Sequence, residues 1–473
     1  MGDLVGDRAV VLGGSMAGLL AARVLTESFR EVVLIDRDKL AGVTGYRRGV
    51  PHGRHAHGLV ARGHQILEDH FPGLTKDLTE AGVAPGDFNS DIRWYFNGRR
   101  AQPKRSHLLS VPATRPVLEH QVRNRVQALP SVVFLEQCDI LALETTQGLV
   151  TGVRILRQAS GAEETLPADL VIDTTGRGSR TPAWLAELGY SRPDEERVKI
   201  GLAYTTRHYD LKADPFGDEM AIIPVATPAH PRGAVFYRVP GMPNRAELSL
   251  TGVLGDHAPT DPAGFVAFAR SLPVPDIYNA IQDAEPVDDP VTFQFPTSVW
   301  RHYEKLDRFP RGFLVMGDAV CSLNPVYGQG MSVAALESCT LRRHLRDGNL
   351  PEARAFFADV ANDIRGPWAV SAGADLGYRG AEGRRTPMIR MVNAYVAQLQ
   401  RAAVYDGELT NAFIRVAGLV DPPPALMRPA TALRVLRHFA RRPAATPPPG
   451  LDGPASTTER HSHAPLPHRD SAG

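Results

Sequence analysis

The chain predicts a mixed α/β fold: a Rossmann-type dinucleotide-binding half that is discontinuous in sequence, an antiparallel-sheet region inserted into it, and a helical C-terminal region. Three observations carry this. An apolar run at residues 8–12 leads through a glycine turn into a helix-spaced segment and a second apolar run at 31–35, a βαβ unit whose crossover makes its strands parallel. A second core-type run with its own glycine-rich loop, residues 312–330, follows about three hundred residues later. Between them, 197–297 carries β-type runs such as 200–204, 234–237 and 291–295, punctuated by Pro and Gly, the mark of antiparallel sheet.

In chain order, the helix expected over 16–28 has Leu19, Leu20, Val24 and Leu25 at helical spacing, and a helix over 115–129 places Val117, Leu118, Val122 and Val126 on one face. Strands are expected at 132–135, 139–145, 149–156 and 170–173. Residues 312–316 read as a core strand and 330–345 as a long helix. From 351 to 442 the spacing is helical, with breaks expected at Pro367, Pro387 and the run Pro422, Pro423, Pro424. Beyond Arg442 the chain is rich in Pro, Ser, Thr and His and nearly free of apolar residues, which predicts a disordered tail over 443–473.

The 473 residues suffice for two or three domains. A hydrophobic fraction of 43% and a charged fraction of 22% are those of an ordinary globular protein. A net charge of +1 makes no general case for nucleic acid or an acidic surface as partner. Cys138, Cys321 and Cys339 are too few and too scattered for a disulfide framework or a zinc site, so a reducing cytoplasm is the expected setting and no metal is expected. The N-terminal apolar run is a strand rather than a signal peptide. No stretch reaches the roughly 20 apolar residues of a membrane span.

The two glycine-rich phrases are the most informative stretches. In Val11-Leu12-Gly13-Gly14-Ser15-Met16-Ala17-Gly18, Gly13 permits the tight turn and Gly18 the close approach of helix to strand. Ser15 replaces the middle glycine of the usual fingerprint, and its hydroxyl can donate to a phosphate. The helix start presents free N–H groups to a diphosphate. Asp36 ends the second strand, where a carboxylate can accept from ribose hydroxyls, and Arg37 joins it in the expected cofactor set. The second phrase, Met316-Gly317-Asp318-Ala319 followed by Asn324-Pro325-Val326-Tyr327-Gly328-Gln329-Gly330-Met331, again follows a strand and enters a helix. Asp318 can reach ribityl hydroxyls, and N–H groups near Gly330 and Met331 can face a flavin oxygen. Two such turns, far apart, point to one extended cofactor, FAD. A third phrase between them, 169–180, contributes Asp173 at a strand end.

Other residues admit plainer readings. Tyr204, Phe236, Tyr237, Phe293 and Phe295 fall in the expected sheet, where together they suit an apolar substrate pocket, although sheet core is the expected place for any one of them. His55 and His57, two apart, would face opposite sides of a strand and make a poor metal pair. Cys321, just after Asp318, is expected as a small packed residue rather than a covalent flavin link. Over 433–442, Leu433, Leu436 and Phe439 form an apolar face expected to dock on the protein itself, with the arginines solvated, ahead of a peripheral membrane contact.

The three phrases in this order resemble the flavoprotein monooxygenases of the para-hydroxybenzoate hydroxylase-like superfamily. At Arg48-Gly49-Val50-Pro51-His52-Gly53-Arg54-His55-Ala56-His57, at Leu67-Glu68-Asp69-His70-Phe71-Pro72-Gly73 and over 173–184, the chain is similar to bacterial epoxidases of polyether antibiotic pathways, of the monensin and lasalocid type. The resemblance spans about residues 8–430. It implies FAD contacts at Gly13, Ser15, Gly18, Asp36, Arg123 and Asp318, with residues 328–331 beside the flavin ring and Pro325 near its reactive edge. Arg54 and His55 would sit near the ring. Pro325, Gly328 and Gly330 then form the reactive loop, with no acid or base assigned. The implied fold is a glutathione-reductase-like FAD domain in three pieces (1–87, 107–180 and 298–350), an antiparallel-sheet substrate domain (88–106 and 181–297) and a helical region (351–442).

The same resemblance implies a monooxygenase that takes electrons from transiently docked NADPH or NADH and reacts with O2 through a flavin hydroperoxide. Its substrate would be a lipophilic polyketide or terpenoid intermediate, with alkene epoxidation ahead of aromatic hydroxylation, in a monomer or homodimer. The rivals are a flavin reductase or desaturase, a redox-neutral cyclase with structural FAD, and a non-catalytic flavin- or ligand-binding protein. A flavin halogenase is disfavoured, because the Trp-x-Trp-x-Ile-Pro signature is missing.

Overall fold

The computed structural model describes residues 4–439; the tail expected over 443–473 lies outside the described residues. Five parallel strands form the central layer in the order Phe313–Val315, Leu170–Asp173, Gly6–Leu12, Phe29–Ile35, Val132–Leu135. Ala9, Val10, Val11 and Leu12 are all fully buried, which explains why this strand is a continuous apolar run: a parallel sheet covered on both faces has no solvent side to alternate with. The helix Met16–Leu25 packs against Arg115–Gln127 and Gly330–Leu345. Cys138–Thr146, Leu149–Arg157 and Glu163–Pro167 form a separate antiparallel sheet whose Val150, Val153 and Ile155 join the same core.

The strand order explains how a site arises from distant segments. Gly13 follows the first strand, Asp36 the second, Thr174 the strand Leu170–Asp173, and Gly317 the strand Phe313–Val315. Parallel strands place all four loops at one edge, where open α/β sheets bind ligands.

A nine-stranded sheet is antiparallel apart from one parallel pair, Ile92–Phe96 with Ala221–Val225. Its longest strand, Glu195–Asp210, pairs with Arg245–Gly252 on one side and Val291–Arg301 on the other, with a register shift between Lys199 and Leu202. Gly201 lies in that shift at φ +58°, as a bulge requires. One face of this sheet buries Leu248, Leu250, Phe236 and Phe265 in a core of its own.

The C-terminal helices depart from expectation in two places. Pro367 does not break the helix Ala353–Asp375 but lies inside it. Phe356, Phe357, Val360 and Ile364 on that helix are buried in the main core, and such burial outweighs one lost backbone hydrogen bond. Pro387 starts the helix Pro387–Ala403, capped by the Thr386 hydroxyl, which accepts from the Ile389 N–H. The last helix, Pro429–Phe439, docks through Val435, whereas Leu433 and Leu436 are 56% and 64% exposed. Arg434 is not solvated alone but pairs with Asp406 at 3.0 Å. The leucine face is therefore the exposed one, contrary to expectation, while Arg437 is exposed to solvent as expected. No helix among the described residues is long and apolar enough to cross a membrane.

Candidate functional site

One cavity of about 600 Å³ is lined by both glycine phrases. Gly13, Gly14, Ser15, Met16, Ala17, Asp36 and Arg37 border one part, and Gly317, Asp318, Pro325, Gly328, Gly330 and Met331 another. Thr174, Thr175 and Gly176 also line it.

At the first turn Gly13 has φ +104° and donates its N–H to the Ile35 carbonyl. The Gly14 N–H donates to Asp36 Oδ2 at 2.6 Å, and the Asp38 N–H to Asp36 Oδ1 at 2.7 Å. Asp36 therefore ties its own loop together while facing the cavity. The Ser15 side chain does not cap its helix. Its hydroxyl accepts from Arg115 at 2.7 Å and donates to Glu119 at 3.2 Å, which leaves the first N–H groups of Met16–Leu25 free for an anion. Glu119 is the hub of a buried ionic cluster, with Arg47, Arg115 and Arg123 at 2.6, 2.9 and 3.2 Å. Burial alone would push the Glu119 carboxyl up, but the three guanidiniums hold it at about 2.

At the second turn the Gly317 N–H donates to Glu337, a fully buried carboxyl on the following helix. Burial pushes Glu337 up to about 8. Burial also raises Asp318, opposed by Arg115 and Arg177. Asn324 caps the short turn Pro325–Tyr327 by accepting from the Val326 N–H at 3.0 Å, and Gly328 continues it at φ +67°. Asp375, from the helix Ala353–Asp375, accepts from Asn324 Nδ2 at 3.0 Å and from the Tyr327 hydroxyl at 2.9 Å. A C-terminal helix thus fixes the loop.

The large sheet supplies a third wall, through Tyr204, Phe293 and Phe295. The Arg177 guanidinium lies 4.6 Å from the Phe295 ring centre. His52, His55 and His57 line the same cavity. They belong to the turn Pro51–Arg54 and the loop after it rather than to a strand. Burial first, then Arg54, lowers His55 to about 4; burial first, then Arg115, lowers His57 to about 4. Both rings are neutral at neutral pH. No group of His, Cys, Asp or Glu among the described residues forms a metal-binding cluster.

Five expected residues stand off the cavity wall. A Cβ on Gly18 would meet the Gly13 carbonyl at 1.8 Å, so Gly18 serves helix–strand packing instead of touching a ligand. Arg123 is buried and donates to the Leu40 and Val43 carbonyls at 2.9 and 2.8 Å, bracing that loop. Asp173 accepts from Thr175, Ser179 and Thr181 and orders the third phrase from behind. Arg54 lies over the Tyr46 ring. Phe236 packs on Phe216 in the second core, on the sheet face opposite Tyr237. Cys321 is buried behind the wall, paired in register with Trp300.

Sequence reasoning missed Arg47, Arg115, Glu119, Arg177 and His52. The row Arg115, Glu119, Arg123 at spacing i, i+4, i+8 was a visible signal of an ion-paired helix face. Nothing local revealed Arg47 as its fourth member.

The geometry fits an extended flavin dinucleotide. Beyond the two turns, a Cβ placed on Gly178 meets nothing within 4 Å, and one on Gly330 meets only Asp318 Oδ1 at 3.9 Å. These are open cradles that side chains would fill. Residues 8–349 match the family described as FAD binding domain. The chain is 33% identical over 434 residues to Protein Rv3254 of Mycobacterium tuberculosis (strain ATCC 25618 / H37Rv), covering 88% of this chain and 90% of that protein. It is 28% identical over 362 residues to kynurenine 3-monooxygenase of Salinispora arenicola (strain CNS-205), covering 71% of each. Among solved structures, a flavoprotein/dehydrogenase from Cytophaga hutchinsonii superposes with TM-score 0.65 at 14% identity, covering 91% of this chain and 98% of that one, a likeness of fold. Sequence, fold and cavity agree: this chain belongs to the FAD-binding-domain family and is an FAD-dependent oxidoreductase.

Proposed function

We propose that the chain is a monooxygenase that uses NADPH or NADH and O2 to transfer one oxygen atom to a lipophilic small molecule. The supporting observation is that the cavity bordered by both glycine turns also has an aromatic wall, Tyr204, Phe293 and Phe295, next to the Pro325–Tyr327 turn. A cofactor held at its two ends would have its ring beside an apolar chamber. Bound FAD supplies the electron transfer and oxygen activation.

The protein's part is to bind, orient and exclude water. The free N–H groups after Gly14, with Arg115 beside them, would hold the diphosphate, and Asp36 with Arg37 would take the ribose side. Asp318 would bind the linker between diphosphate and ring. The N–H groups of Gly330 and Met331, at the start of a 16-residue helix, would face the ring and favour negative charge there. Gly328 and Pro325 would shape the edge where the substrate approaches, and the sheet would roof it against solvent. In this reading the pieces through residue 87, 107–180 and 298–350 hold the cofactor, 88–106 and 181–297 the substrate, and the helical region from 351 braces the loop. All three cysteines are free, as suits the reducing cytoplasm proposed as its setting.

For the acceptor we propose a polyketide or terpenoid alkene, epoxidised, on the polyether-pathway resemblance. Aromatic hydroxylation is the second reading, favoured by the similarity to kynurenine 3-monooxygenase. The test is to purify the protein, record its bound-flavin spectrum, and measure oxygen-dependent NAD(P)H consumption with polyenes, terpenoids and phenols. Labelled oxygen from O2 should appear in the product. Product formation without oxygen, or without nicotinamide, would overturn the proposal.

A further inference from the structure

We propose that the last helix, together with the start of the helix Pro387–Ala403, forms a surface that binds the face of an anionic lipid bilayer. This surface stands apart from the proposed reaction, since none of its residues lines the cofactor cavity.

The helix Pro429–Phe439 docks by its polar side. Arg434 and His438 turn inward to Asp406, at 3.0 and 3.6 Å, and Val435 between them is buried among apolar neighbours. The outward face consists of Pro429, Ala430, Leu433, Leu436 and Arg437, which is apolar but for one arginine. An amphipathic helix of a globular protein normally buries that face. The first turns of Pro387–Ala403 repeat the pattern, with Met388, Met391 and Ala394 exposed beside Arg390.

Among the described residues, four large apolar side chains are more than half exposed: Met388 at 61%, Met391 at 51%, Leu433 and Leu436. Scattered singly, such residues would need no explanation. All four lie on two helices that pack against each other. The two faces adjoin. One turn after Met391, the Tyr395 hydroxyl donates to the Leu426 carbonyl at 2.7 Å, and the exposed Met427 follows directly.

Charge selects the occupant. Residues 384–439 hold eight arginines and three acids, although the whole chain carries only +1. Each of those acids is already engaged: Asp406 with Arg434, Asp421 with Arg415, and Glu408 with Lys104. Arg390 and Arg437 stand exposed on the two apolar faces themselves, where guanidiniums can pair with lipid phosphates. A second copy of this chain would set those arginines against their own kind, which opposes association. The segment 440–473 offers only Leu451 and Leu466 as large apolar side chains, too few to cover the patch. An anionic bilayer satisfies both features. The methionines and leucines enter the boundary between headgroups and acyl chains, and the arginines stay at the phosphate level. Part of the attraction is electrostatic, so binding weakens as salt rises.

The experiment sediments the full FAD-loaded protein with vesicles of phosphatidylglycerol and phosphatidylcholine in equal parts, and with phosphatidylcholine alone. Binding to the anionic vesicles should be clear at low salt and fall as salt is raised. It should weaken about tenfold or more in Leu433→Glu/Leu436→Glu and in Met388→Glu/Met391→Glu. Arg390→Ser/Arg437→Ser should lower binding to the anionic vesicles and not to phosphatidylcholine. Retained flavin and an unchanged thermal midpoint check that each variant is folded, as expected for substitutions at such exposed sites. No binding to anionic vesicles, or binding that neither apolar pair reduces, overturns the proposal. Equal binding to phosphatidylcholine alone overturns the anionic assignment. A dimer that Leu433→Glu/Leu436→Glu dissolves, with no vesicle binding, overturns it in favour of a second copy.

Discussion

Asp318 and Glu119 show how differently two carboxylates at one site can serve it. Asp318 faces the cavity and its carboxyl is pushed up by burial, a state that a polar ligand relieves. Asp318→Ala should weaken FAD binding about tenfold or more, read as flavin retained through gel filtration; full retention would show that the carboxylate does not touch the cofactor. Glu119 stands behind the wall and pairs with three guanidiniums. Removing one partner from a buried cluster leaves charges uncompensated, so Glu119→Ala should destabilise the fold by about 3–5 kcal/mol, measured as urea unfolding of the FAD-loaded protein. Asp318 was legible in the sequence because it sits in a motif. Glu119 was legible only as part of an ion-paired helix face, because its link to Arg47, 72 residues upstream, exists only in the fold.

Among the elements, the first helix and the flavin-side loop depend on different devices. Helix Met16–Leu25 approaches its strand closely because Gly18 has no side chain. Gly18→Ala should cost about 1–3 kcal/mol through overpacking; a variant of unchanged stability would mean that the turn shifts freely. The loop from Asn324 to Gly330 is held by Asp375, whose carboxyl burial pushes up to about 6 although Asn324 and Tyr327 donate to it. Asp375→Ala should leave the β-rich core folded but loosen this loop, seen as faster proteolysis or amide exchange confined to residues 324–330. Periodicity foretold both helices that flank the cofactor turns. It failed at Pro367, where core burial outweighs a local breaker, and at the last helix, where one face had two possible neighbours.

For the whole molecule, stability carries a pH signature from the second turn. Glu337 has a folded value of about 8 against 4.5 in the open chain. The folded state therefore binds the proton more tightly, and the associated stability is complete below pH 4.5 and lost as pH rises through 8. Relative to the parent, Glu337→Gln should gain on the order of a few kcal/mol between those limits, seen as thermal midpoints that diverge with rising pH. Parallel midpoints across that range would place Glu337 in a wetter setting than its burial indicates. Glu119 contributes in the opposite sense: its stabilisation is present above 4.5 and lost as pH falls through about 2.

Read alone, the sequence determined the class of fold, the cofactor and the two glycine turns that border the cavity, because those depend on local chemistry: a glycine where the chain must turn, an acid at a strand end, an apolar run where both sheet faces are covered. The tertiary structure decided everything that depends on which face meets which neighbour. It sent Phe236 into a second core while Tyr237, one residue on, turned its hydroxyl to Glu247. It brought His52, His55 and His57 to one wall and gathered Arg47 with Arg115. In a sheet, side chains alternate every residue, so the choice of face is set by register and by what packs above and below, and neither is written in any short stretch of chain.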